Sequence, residues 1–333
     1  MSSNVQEHVR PIFRIRPDAA RGHLGGTLTN RLYEDFYQAG RARPSRAPYA
    51  GSTRANGLPE FVDELSAANA GNGTRQAGWL LVEHRDGDDG GVELAIRRDG
   101  LTLRAKPEEI VFGGDGLPGV GEEVDLKLPK ELPAISPGFY TVLSDEPYDA
   151  ADLVVRVYWN LYSWGAATLV QGITGRLNGA KVPFRLKVVN HPDRYNRCDA
   201  GVLYLLKDDL DRAVPLLAEV YREVRDDLKR PVPALTKRIA PGVGLAEDPP
   251  GGDSFGMHRC RLLAEGLVRG WEQGAETVED RLAVVIETFE EAGIDPERPY
   301  LNPVRSMITI LRLTRRTAGR HGTALPVPGS ADG

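Results

Sequence analysis

The chain has 333 residues, 41% of them hydrophobic and 27% charged, with a formal net charge of −5. That balance belongs to a globular protein with ample core, and it excludes a chain whose bulk charge coats nucleic acid or anionic membrane. The stretch MSSNVQEHVRPIF has no apolar signal core, and no run of about 18 apolar residues occurs, so a cytoplasmic protein with neither nucleic-acid nor membrane partners is expected.

In chain order, residues 26–70 read as mostly helical, in TLTNRLYEDFYQAG and LPEFVDELSAANA, around a Pro/Arg-rich loop. From Trp79 to about Tyr140, short alternating segments divided by glycine turns predict an antiparallel meander. DLVVRVYWNLY predicts a strand, GAATLVQGITGRLNG a helix, and FRLKVVN and GVLYLLK two more strands. The remainder reads as helical, first in DDLDRAVPLLAEVYREVRDDLKR, with acids early and bases late as the helix dipole prefers. Further helices are predicted near 256–273, 277–292 and 302–317, followed by a disordered Gly/Pro-rich tail. This order predicts an α+β fold, a mixed or antiparallel sheet flanked by helices.

Two motif matches are rejected. His84-Arg85-Asp86 has no kinase context downstream and reads as a hairpin turn. Gly114, Gly116 and Gly119 spell G-x-G-x-x-G, but a strand rather than a helix is predicted to follow. The histidines and acids show no metal-ligand spacing. Cys198 and Cys260 read as small buried residues with reduced thiols, and His191 as a turn residue.

The informative stretch is PFRLKVVNHPDRYNRCDAGVLYL. Alternation along a strand puts Phe184, Leu186 and Val188 on one face, Arg185 and Lys187 on the other. Arg194, Arg197 and Tyr204 follow, Arg156 and Tyr158 alternate on the preceding strand, and His258 and Arg259 open a predicted helix. Cations gathered this way call for an anion between them, and a phosphate held by arginines is the natural one. Lys187 differs from its neighbours, since a lysine can lose its proton when burial and nearby cations lower its pKa. A base beside a phosphate-bearing carbon suits β-elimination from phosphoserine or phosphothreonine, without metal or organic cofactor.

The strings VYWNLY, VPFRLKVVNHPDRYNRCDAGVLYL, APGVGLAEDP and SFGMHRCRLLAE resemble the HopA-type family of bacterial type III effectors, best over roughly residues 130–315. HopA-like proteins also occur as the separate lyases of split lanthipeptide synthetases and in thioamitide pathways. Their chemistry is similar to that of phosphothreonine lyase effectors, whose catalytic strand carries a basic residue, a spacer and the base lysine. The resemblance implies Lys187 as base, Arg185 before it, Arg197 as phosphate ligand and Tyr204 as the strand tyrosine. The acid histidine those lyases carry ahead of the lysine has no counterpart here. His258 is the favoured substitute, with Tyr158 and Tyr204 as alternatives. Arg156, Arg259, Arg194 and Lys237 are further phosphate or substrate ligands, although Arg156 and Arg259 have Glu247 and Asp199 as competing partners.

The expected layout is a helical segment plus meander at 1–147 with a possible peptide-binding role, a phosphothreonine-lyase-like core at 148–318, and a tail at 319–333. The expected function is a lyase that converts phosphoserine or phosphothreonine of a ribosomal precursor peptide to dehydroalanine or dehydrobutyrine. A separate Ser/Thr kinase would act in trans. The alternatives are a non-catalytic phosphopeptide-binding or scaffold protein, or a type III effector-like protein.

Overall fold

A computed structural model describes residues 17–39, 57–87, 90–148 and 153–303. Its chain runs α1 (Pro17–Leu32), a wide turn (Tyr33–Tyr37), α2 (Pro59–Ala68), then seven strands: β1 (Arg75–Asp86), β2 (Val92–Arg98), β3 (Leu101–Ala105), β4 (Ile110–Val111), β5 (Glu123–Lys127), β6 (Glu131–Ser136) and β7 (Phe139–Leu143). Next come β8 (Val154–Trp159), α3 (Ala166–Gly179), β9 (Phe184–Val189), β10 (Gly201–Leu206), α4 (Leu210–Val224), β11 (Lys237–Ala240), β12 (Val243–Glu247), α5 (Phe255–Glu272) and α6 (Val278–Glu291). Helices and antiparallel sheets segregated in this way make an α+β fold.

The strands build two sheets. A smaller one has the order β3-β2-β1-β5-β4 around its own core of Trp79, Leu81, Leu94, Ile96 and Val124. The larger has the order β11-β12-β8-β10-β9-β7-β6, every ladder antiparallel. Thus β6 and β7, the last strands of the expected meander, join the larger sheet. The G-x-G-x-x-G glycines lie in the loop before β5, so a strand follows them.

One face of the larger sheet is apolar because alternate residues of its strands are. Val155, Val157, Phe184, Leu186, Leu203 and Leu205 point to α3 and α4 and pack on Leu169, Ile173, Leu217 and Val220. Burying each such side chain contributes about 1.5–3 kcal/mol. α4 reads on the surface as LDRAVPLLAEVYREV, with Ala213, Leu217, Val220 and Val224 on its buried stripe.

Two predictions need correction. The first helix starts at Pro17, ten residues early, where proline is tolerated because the N–H it lacks has no helical partner. The stretch after residue 208 is not all helical: β11 and β12 form a hairpin in TKRIAPGVGLAED. Pro241 and Gly242 turn it, with φ of +76° at the glycine, and the two short apolar flanks are buried as sheet. The helix predicted at 302–317 and the tail beyond it lie outside the described residues from 304 on. The helices near 256–273 and 277–292 form, each capped by a hydroxyl: Ser254 Oγ accepts from Met257 N and Thr277 Oγ1 from Asp280 N.

Candidate active site

The opposite face of the larger sheet carries the charge. Strand register aligns two rows across it. One reads Leu143, Arg185, Tyr204, Arg156 and Ala246; the next reads Thr141, Lys187, Val202, Tyr158 and Gly244. Directly opposite residues lie about 4.5–5.5 Å apart at Cβ, so Arg185 and Arg156 flank Tyr204 from both sides. The Arg156 guanidinium lies 4.9 Å and Lys187 Nζ 5.7 Å from the centre of the Tyr204 ring. Arg185 stacks 5.3 Å over Tyr148. Tyr37 and Phe255 close one end of the face by packing on Tyr158.

The electrostatics of this row are uneven. Burial and the charges of Arg156 and Arg185 push the Lys187 ammonium below its ordinary pKa, against a smaller opposing effect of Asp248. Burial raises the Tyr204 hydroxyl, so it keeps its proton through neutral pH. Asp248 supplies the nearby negative charge, 2.6 Å from Arg156 Nη2, and burial raises its carboxyl despite that arginine. Buried polar atoms here that have no hydrogen-bond partner among the described residues include Arg156 Nε, Arg185 Nε and Thr141 Oγ1. A buried donor left this way costs about 1–3 kcal/mol, which an incoming acceptor would recover.

The structure therefore gathers Lys187, Arg185, Arg156 and Tyr204, and sets the other predicted residues elsewhere. Arg197 lies over the Phe139 ring at 5.1 Å, its Nη2 donating to Asp199 Oδ2 at 2.7 Å, so its charge is already matched. Arg194 packs on the β6–β7 turn, its Nη1 3.0 Å from where a Cβ on Gly138 would stand. Lys237 is on β11, separated from β9 by three strands, 5.5 Å over Tyr300.

Arg259 is the clearest correction. It is wholly buried and donates to the carbonyls of Pro299 at 2.7 Å and Leu301 at 2.8 Å. It fastens the 299–302 segment to α5 and offers no guanidinium to a phosphate. Its Nη1 also donates to His258 Nδ1 at 2.8 Å. Burial, Arg259 and Arg261 lower the His258 pKa, so this imidazole is neutral at pH 7. A neutral imidazole whose Nδ1 already accepts from Arg259 is poorly suited to donate a proton.

Two site residues were missed by sequence reasoning, Asp248 and Tyr148. Asp248 follows β12, the strand that was not foreseen, so nothing marked its alternation with Ala246 and Arg156. Both cysteines are buried, their thiols pushed up to about 12, as inert packing residues should be. Among the described residues, no group of three or more His, Cys, Asp or Glu is placed to hold a metal, and no helix is long and apolar enough to cross a membrane.

Residues 131–301 match the HopA1 effector protein family. The chain belongs to that family. The matched span opens at Glu131, the first residue of β6, and closes at Leu301, whose carbonyl takes Arg259. It contains every strand of the larger sheet and both arginines of the row. Two solved structures are similar: the effector protein from Pseudomonas syringae pv. tomato strain DC3000 and that from Pseudomonas syringae pv. syringae strain 61. The first is 16% identical with a TM-score of 0.46, covering 86% of this chain and 96% of that one. The second is 15% identical with a TM-score of 0.44, covering 85% and 97%. No curated protein matches the chain.

Proposed function

We propose that this HopA1-family protein is a phosphoserine/phosphothreonine lyase, acting on a phosphorylated ribosomal precursor peptide of the lanthipeptide or thioamitide kind. The observation that carries the reading is the cationic row, where one lysine with a lowered pKa stands among arginines whose Nε donors lack partners. Such a face favours a dianion, and Lys187 is its one cation that can give up its proton, since a guanidinium does not.

In this reading Arg185 and Arg156 hold the phosphate, and neutral Lys187 removes the Cα proton of the phosphorylated residue. The electron pair of that C–H bond forms the Cα=Cβ bond as the Cβ–O bond breaks. Tyr204, which retains its proton, gives it to the departing phosphate oxygen. The Lys187 ammonium then returns a proton to the Tyr204 oxygen, restoring both groups. A kinase acting in trans supplies the substrate. Tyr204 replaces His258 as the preferred acid because it lies between the two cations that matter.

The test is incubation of phosphorylated and unphosphorylated peptides with the protein, followed by mass spectrometry. Loss of phosphoric acid from the phosphorylated form alone supports elimination. Recovery of the free hydroxyl peptide would make it a phosphatase. Tight binding with no mass change would make the same row a phosphopeptide-binding surface.

A further inference from the structure

Away from the charged face, three helices leave an apolar groove of about 390 Å³ between α1, α5 and α6. Leu263, Leu267 and Val285 line it alongside Leu32, Phe36 and Leu282, and Arg281 is its one charged lining residue. Phe36 is 40% exposed, Leu282 55% and Val278 75%. An apolar strip of this extent on a capped helix marks a contact surface rather than an ordinary solvent face.

We propose that the groove receives the chain's own residues 304–317, VRSMITILRLTRRT. Position is the first argument. Pro303 lies against Gly293, just past the C-terminal end of α6, with 3.1 Å between its Cβ and a Cβ built on that glycine. The chain therefore leaves the described fold at one end of the helix that carries the groove. From Gly293 back to Val278 is about 22 Å along a helix axis, and fourteen residues at about 1.5 Å each span about 21 Å.

Pattern and charge agree with that placement. Val304, Met307, Ile308 and Leu311 recur at helical spacing and match an apolar trough, while Arg305, Arg312 and Arg316 share another side. The segment carries four arginines and no acid. α6 carries Glu279, Asp280, Glu287, Glu290 and Glu291 against Arg281 alone. Glu287 and Glu291 already hold Arg269, so the match rests on Glu279, Asp280 and Glu290. This assignment is independent of the chemistry on the sheet.

The experiment uses the full chain with Leu282→Cys paired in turn with Leu311→Cys, Thr314→Cys or Arg315→Cys, the positions that the antiparallel placement brings level with Leu282, under mild oxidation. Cys198 and Cys260 are buried and stay silent. An intrachain disulfide in at least one pair is expected, with none when Leu282→Cys is paired with Val120→Cys on the smaller-sheet side. Hydrogen exchange gives a second readout: Leu311→Asp should speed exchange of α6 amides at least about tenfold, since their protection depends on what covers them. Crosslinks only between chains would assign the groove to a second copy and overturn the proposal. No crosslink in any pair, together with unchanged α6 exchange, would overturn it as well.

Discussion

The two faces of the seven-stranded sheet are written in the same strands and obey opposite rules. On β9, Phe184, Leu186 and Val188 are wholly buried beneath α3 and α4, while Arg185 and Lys187 between them are only half-buried on the other side. The first face lowers free energy by removing apolar surface from water. The second raises it, because two arginines in one row and a lysine in the next crowd together, with the carboxylate of Asp248 beside Arg156. In the proposed reading, such a face holds charge for an anion at some cost to the stability of the fold.

The largest expected effect separates base from ligand on the charged face. Lys187→Arg should lower phosphate release from a phosphopeptide by about 10³-fold, within the range of general-base contributions. Peptide affinity should stay within about threefold, because the positive charge remains. Full turnover in this variant would return the row to simple anion binding. Next comes the residue one step away on the other face. Leu186→Ala should destabilise the protein by about 2–5 kcal/mol in urea unfolding, the cost of a cavity under α3 and α4. A loss below about 1 kcal/mol would mean the helix-covered face is not where stability resides.

Asp248→Asn tests the balance within the charged row. It removes the carboxylate beside Arg156 and should tighten inorganic phosphate about tenfold, equivalent to about 1.4 kcal/mol, measured by calorimetry. Weaker phosphate binding would show instead that Asp248 is needed to orient Arg156. The smallest effect concerns pH. The folded-state pKa of Lys187 is lowered, so its penalty is present at neutral pH and relieved only as pH climbs through that value toward the ordinary ~10.4. Lys187→Met should therefore raise the melting temperature by about 2 °C at pH 7, with the difference shrinking at alkaline pH. A fall in melting temperature would contradict the idea that this face stores strain.

Several features could be read directly from the residues. The alternation in FRLKVVN placed Lys187 and Arg185 together, and VRVYW placed Arg156 with Tyr158, because period two is a local property of a strand. Ser254 and Thr277, which cap the starts of α5 and α6, were a local signal that the sequence reading did not use, since a cap needs only residues three apart. The β11–β12 hairpin was obscured by its short flanks, although Pro241-Gly242 between apolar residues was a usable signal. His258 and Arg259 illustrate the limit: both stand at the N-terminus of a correctly placed helix. Only its rotation decides that Arg259 turns inward to backbone carbonyls and takes His258 with it.

By itself, the sequence determined which residues alternate, where α5 and α6 run, and that one lysine lies among arginines near a pair of strands. The strings that mark the family carried the fold with them. Tertiary structure alone decided which cations meet. Strand order β8-β10-β9 brings Arg156, Tyr204 and Arg185 into one row, although 29 positions separate Arg156 from Arg185 in the chain. It also decided that Asp248 joins them while Arg197 is held by Asp199 and Arg259 by a distant turn. The reason is physical: periodicity acts between neighbours, whereas the pairing of charges depends on distances that exist only once the sheet is assembled.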